Sequence, residues 1–127
     1  MNSLRWYALS FLIVASVVAA RADEGLSDTQ VEFFESKIRP VLVEHCYECH
    51  NSASAQEGEF ALDWNEPLRT GGQTGKAIAE SASNSLLLQV MRHEIEGLEM
   101  PEGGEKLSPA ILADFEQWIT MGAPDPR

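Results

Sequence analysis

Only two cysteines occur in the 127 residues, and they stand three positions apart with a histidine directly after the second: Cys46-Tyr47-Glu48-Cys49-His50. Two thiols and an imidazole so close together are too reactive for a routine surface choice, so whatever they hold dictates the fold around them. The C-x-x-C-H spacing is that of covalent haem attachment. The thiols add to two vinyl groups on neighbouring pyrrole rings, and one compact turn brings both sulfurs to that edge. His50 then offers its imidazole to the iron from the same side. Three other readings compete. A redox dithiol usually sits at a helix start after a strand, in a βαβ setting that the pattern here does not show. A zinc site of Cys46, Cys49, His50 and a further ligand such as His93 lacks the second half of a paired-knuckle spacing. A structural disulfide is the plain alternative for a cysteine pair in an exported chain.

Export is what the N-terminus indicates. Arg5 precedes an apolar run from Tyr7 to Val18 broken only by Ser10 and Ser16, and Ala20-Arg21-Ala22 puts small residues where a signal peptidase reads them. The run is short for a membrane helix of about 20 apolar residues, and no cysteine lies near the cut to carry a lipid. Residues 1–22 are therefore expected to be a cleaved signal peptide and residues 23–127 the mature domain. Cleavage takes 22 of the 127 residues and leaves 105, enough for one small domain with a modest core. The expected location is periplasmic or otherwise extracytoplasmic, with no stable membrane span after cleavage. Both leader arginines, Arg5 and Arg21, leave with the signal and all twenty acids stay, so the formal charge moves from −11 to −13. Such a surface disfavours nucleic acid and anionic membranes and favours a basic partner, or simply keeps a secreted protein in solution.

Three helices are legible. Ser27-Asp28-Thr29-Gln30 has the spacing of a capping box, with Val31, Phe34 and Ile38 following at helical intervals. Pro40 is expected to bend or end that helix. Asn84 or Ser85 is placed to cap a second, with Leu87, Leu88, Met91 and Ile95 on one face. The third has Ser108 as cap, Pro109 in the first turn, a stripe of Ile111, Leu112, Phe115, Trp118 and Ile119, and Gly122 beyond its end. No strand and no repeat stands out. Between the first two helices a Gly/Ser-rich stretch, Asn51 to Ser83, carries few large apolar residues beyond Phe60, Leu62, Trp64 and Leu68. A loop that long in so small a domain needs something to wrap around. A flat apolar cofactor meets that need, so the expected fold is mainly α, about three main helices plus long loops around a covalently bound haem.

The second iron ligand must come from farther along. His45 is tethered on the attachment side, and Met91 and Met121 sit on or at the end of helical stripes where core packing explains them. Met100 lies instead in a loop, "GLEMPEGGEKL", bounded by Gly97 and Gly103-Gly104. Pro101 biases Met100 towards an extended backbone, which suits a side chain projecting from a loop. Met100 is the expected distal ligand; His93, in a bis-histidine pocket, and an open site remain alternatives. "TGGQTGK", Thr70 to Lys76, approaches a phosphate-loop pattern but is one residue short, with Ala77 where a magnesium-binding hydroxyl would stand. It reads as a tight loop passing close to the haem, and Trp64, Arg69 and Lys76 are candidates to meet the propionates.

"FFESKIRPVLVEHCYECHNSASAQ", "LDW…LRTGGQTGKAI", "SLLLQVMRH", "MPEGGEKLS" and "WITMGAPDPR" together give a chain that resembles the planctomycete-type cytochrome c domain family over Phe33 to Arg127. The resemblance implies a mainly helical c-type cytochrome in which Cys46 and Cys49 bind haem, His50 is the proximal ligand and Met100 the distal one. Met100-Pro101-Glu102 stands where the family usually has Met-Pro-Pro, and "AESASNS" where it has a Val-Pro-Gly loop. The family's domain usually opens a longer multidomain protein, so this chain is expected to be a stand-alone copy or a truncated N-terminal redox module. The function expected is one-electron transfer with one covalent haem c and a redox partner protein. The alternative is a haem enzyme or sensor with an open distal site. No catalytic constellation other than the haem is apparent.

Overall fold

In the computed structural model, which describes residues 25–53 and 55–127, the architecture is mainly helical, with long loops and one two-stranded pair. Residues 1–22, read above as a signal peptide, lie outside the described residues. Helix α1 (Asp28–Phe33) opens with the reciprocal cap its spacing encodes. The Gln30 N–H donates to Ser27 Oγ at 3.3 Å, and the Ser27 N–H donates to Gln30 Oε1 at 2.9 Å. Pro40 does not end the helical run. A π-helical turn, Phe34–Ile38, precedes it, and α2 (Arg39–His45) begins one residue before the proline. A proline in a helix's first turn lacks only an N–H that would have no partner there, so the rod continues. Phe34, Ile38 and Leu42 then recur every four residues, all fully buried. The N–H groups of Cys46 and Tyr47 both close on the Leu42 carbonyl at 3.0 Å, and the chain turns out of the helix.

The stretch from Asn51 to Ser83 is more ordered than its composition suggests. Two-residue strands β1 (His50–Asn51) and β2 (Ala55–Gln56) pair antiparallel, and a short helix α3 (Asn65–Thr70) follows. A tight turn then runs through Gly71, whose φ of +83° and distance from Gly75 exclude a side chain: a Cβ there would stand 2.1 Å from the Gly75 carbonyl oxygen. The Gln73 N–H donates to the Gly58 carbonyl at 2.8 Å, which folds this turn back onto the start of the loop.

Helix α4 (Leu86–Met91) turns Leu87, Leu88, Val90 and Met91 inward. It is shorter than expected: His93 takes a φ of +56°, the helix closes, and Ile95 falls beyond it. Ser85 does not cap it either. Fully buried, its Oγ accepts from the Ala79 N–H and donates to the Ser81 carbonyl, each at 2.9 Å, so the hydroxyl binds the preceding loop instead. Helix α5 (Pro109–Thr120) matches its sequence signals, with Ser108 Oγ accepting from the Ile111 N–H at 3.3 Å. Leu112, Phe115, Trp118 and Ile119 are buried, and Ile111 only partly. Trp118 is the centre of the core, edge-on to Phe115 at 5.8 Å and tilted against Phe34 at 6.0 Å between ring centroids. Its Nε1–H donates to the Pro124 carbonyl at 2.8 Å and holds the segment after α5 against the core. Among the described residues no helix is long and apolar enough to cross a membrane.

Candidate functional site

The turn after α2 is wound tightly. The Cys49 N–H donates to the Cys46 carbonyl at 3.2 Å and the His50 N–H to the same oxygen at 2.9 Å, so both thiols and the imidazole sit on one hairpin of backbone. All three line a cavity of about 800 Å³, near the upper end of the usual range for small-molecule sites. Its surface is mostly apolar: Phe60 and Leu62 stand beside the cysteine turn, Leu87, Val90 and Met91 come from α4, and Leu98 and Leu107 from the segments before α5.

His50 is oriented from behind. Its Nδ1 lies 3.0 Å from the Phe60 carbonyl oxygen, and the Phe60 ring meets the imidazole edge-on at 5.7 Å. A carbonyl can only accept, so Nδ1 carries the proton and Nε2 keeps the lone pair that a metal takes. A second bond, from the Leu62 N–H to the His50 carbonyl at 2.8 Å, fixes the backbone of the same residue. Sequence reasoning missed the Phe60 carbonyl, because a main-chain acceptor ten residues away leaves no mark on residue type.

Met100 lines the same cavity, and its backbone is held on both sides. Its N–H donates to the Val90 carbonyl at 3.0 Å, and its carbonyl accepts from His93 Nε2 at 3.2 Å. His93 does not line the cavity: its ring is turned to the Met100 backbone. Met91 lines it too and is only 2 % exposed, whereas Met121, 36 % exposed, lies elsewhere. His45 is on the wall beside the cysteines.

The three propionate candidates are not brought to this cavity. Trp64 is exposed, and Arg69 and Lys76 line a separate cavity of about 520 Å³ between the loop and the end of α5. Arg69 is turned away because its Nε donates to Asn65 Oδ1 and its Nη2 to the Ala123 carbonyl. The glycine turn does reach the first cavity: Gly72, Gln73, Thr74 and Gly75 are part of its wall.

The rival readings of the cysteines meet specific obstacles. Both thiols are free, Cys49 exposed and Cys46 partly buried. Burial, and then the neighbouring Cys49, push the Cys46 thiol up to about 12. An attacking dithiol needs a lowered pKa at a helix start, and Cys46 stands at the end of α2. Among the described residues no group of three or more His, Cys, Asp or Glu is placed to hold a metal ion, so the zinc arrangement with His93 is not assembled.

The family model of the Planctomycete cytochrome C matches residues 46–103, from the first cysteine of the turn to the end of the methionine loop. The match supports the resemblance to the planctomycete-type cytochrome c family over that stretch. No curated protein and no solved structure matches it. That family implies haem, and the residues of the cavity fit the group: two thiols on one turn, an imidazole with a free Nε2, and an apolar wall opposite. The mainly helical fold agrees with a small c-type cytochrome domain.

Proposed function

We propose that this cytochrome c domain is an exported one-electron carrier with a single haem, attached through Cys46 and Cys49 and ligated by His50 and Met100. The observation that carries the proposal is the convergence of both thiols, His50 and the loop methionine on one mostly apolar cavity. Haem, when bound, supplies the redox couple. The chain's residues set the conditions around it. His50 presents Nε2 because Phe60 occupies Nδ1. A thioether from Met100 would raise the reduction potential of a bound haem and leave no open site for substrate chemistry. Leu87, Leu98 and Leu107 keep water from the interior of the cavity.

Glu48, Glu57, Glu99 and Glu102 also line the cavity, and no lysine or arginine does among the described residues. Backbone N–H groups of Glu99 itself and of Gly97 hold the Glu99 carboxyl below its usual value, so it is charged at neutral pH. This acidic margin supports a redox partner with a basic face.

The test is expression with residues 1–22 in a host that matures c-type cytochromes. The exported protein should retain peroxidase-active haem on a denaturing gel, and changing Cys46 and Cys49 together to serine should abolish it. The iron should be low-spin and six-coordinate in both oxidation states. Stain that survives in the double variant would overturn covalent attachment, and a high-spin, five-coordinate spectrum would overturn the carrier role in favour of an open site.

A further inference from the structure

Tyr47, between the two cysteines, and Leu62, in the segment that orients His50, are joined by one atom. Arg127 Nη1 donates to Tyr47 Oη and, at 2.7 Å, to the Leu62 carbonyl. The guanidinium is not a surface group that happens to reach them. Its side chain is 8 % exposed and that of its ion partner Asp125 is 0 % exposed. The pair is closed by two hydrogen bonds, Nη2 to Oδ2 at 2.6 Å and Nε to Oδ1 at 2.9 Å, and the guanidinium carbon lies 5.0 Å from the centre of the Phe34 ring. Three neighbouring backbone carbonyls are tied down as well: Ala123 by Arg69, Pro124 by Trp118 and Asp125 by Asn65.

A buried ion pair is a poor source of net stability, because desolvating both charges offsets most of their attraction. What a buried guanidinium does supply is fixed direction, several donors in one rigid plane, which a lysine ammonium cannot copy. Here that plane spans the two pieces of chain that hold His50. The cysteine turn carries the imidazole, and the segment from Phe60 to Leu62 holds it by the Nδ1 bond to Phe60 and by the bond from the Leu62 N–H to the His50 carbonyl. The separation of these two pieces decides whether the Nδ1 bond stays short.

We propose that Arg127 is a positioning residue for the proximal histidine, fixing the cysteine turn against the Phe60–Leu62 segment so that His50 keeps its hydrogen bond to Phe60. The inference rests on the haem reading above for its effect on iron. It predicts that loosening the clamp weakens donation from Nδ1, leaves a less basic imidazole, and raises the reduction potential.

The experiment uses the matured holoprotein with Arg127→Lys, which keeps the charge and loses the fork, and Tyr47→Phe, which removes one of the two Nη1 acceptors. In the reduced protein the His50 Nδ1 proton should exchange with solvent about tenfold faster in Arg127→Lys, the factor that corresponds to about 1.4 kcal/mol. The shift in Tyr47→Phe should be smaller and of the same sign. Both variants should raise the potential, and the double variant should fall short of their sum. Amides of α4 and α5 should exchange as in the parent. Uniformly faster exchange in those helices, with the Nδ1 proton and the potential unmoved, would reduce Arg127 to a general structural role and overturn the proposal. If the parent carries no covalent haem, the haem reading fails separately. The clamp is then decided by the Leu62 and Glu57 amides, which bond to the His50 and Cys49 carbonyls and should exchange faster in Arg127→Lys than in the parent. Unchanged rates there would overturn it.

Discussion

Of the two candidates for the distal iron position, Met100 lines the cavity and His93 does not. His93 is a short reach from Met100 in sequence, yet its ring is committed to the Met100 carbonyl and off the cavity wall. Met100→Ala should therefore remove the weak red charge-transfer band of oxidised His–Met haem and lower the reduction potential. Met91→Leu, which conserves core volume, should leave that band in place. Optical titration of the two variants checks both outcomes, and the reverse result would make Met91 the ligand. Asp63 offers a second prediction at this scale. Slight burial pushes its carboxyl up, but hydrogen bonds from the Ser52 hydroxyl and N–H outweigh it and hold the group below the ordinary value of 3.8. A carboxyl depressed in the folded state adds stability above its unfolded pKa and loses it as pH falls through the folded one. The parent should thus lose a stabilising increment below about pH 4 that Asp63→Asn does not have to lose. Thermal melting of the two proteins from pH 6 to pH 2 should show their difference narrowing with acid, and a constant gap would count against the Ser52 link.

Elements differ in how much of themselves they show in sequence. Helix α5 is specified by neighbours in the chain, cap, first-turn proline and apolar stripe, and it appears where those signals place it. Ser108→Ala should cost about 0.5–2 kcal/mol of unfolding free energy, since it strips the acceptor from the Ile111 N–H. Denaturant unfolding followed by circular dichroism would measure that cost; no change would mean solvent serves the N–H equally well. Ser85 carries the same residue type before a helix and does something else, because its hydroxyl is spent on Ala79 and Ser81. Pro40 misleads for a related reason: a π-helical turn resets the hydrogen-bond register just ahead of it, which residue type alone does not announce. The site divides in the same way. Cys46, Cys49 and His50 are contiguous, so their spacing is visible, and Met100 stands out through the glycines around its loop. Arg69 and Lys76 carry the right charge for propionates, but Arg69 is directed by its bonds to Asn65 and Ala123 and both line the second cavity, which only the folded chain defines.

For the whole molecule, charge is the property most exposed to experiment. A net −11 for the full sequence, with glutamates along the cavity margin, should steer a basic partner towards the haem and repel an acidic one. Electron transfer to a strongly basic small redox protein should fall steeply between about 0.01 M and 0.1 M salt, as the screening length drops from about 30 Å to about 10 Å. Transfer to a neutral reagent should stay flat. Stopped-flow mixing across a salt series would measure both, and a flat response to the basic partner would place the acids away from the path of electron transfer. The glycine turn bears on the same surface differently. Gly71 and Gly72 are fixed by close backbone approach, since a Cβ at Gly72 would meet the Gly58 carbonyl oxygen at 2.7 Å. Gln73 and Thr74, by contrast, are exposed at the cavity wall, and Gln73 is anchored there through its main-chain N–H. Among the described residues, neither side chain makes a hydrogen bond to the rest of the fold that would hold the turn in place. Selection can therefore rewrite those two positions, and with them the chemistry presented to a docking protein, while the scaffold beneath stays untouched.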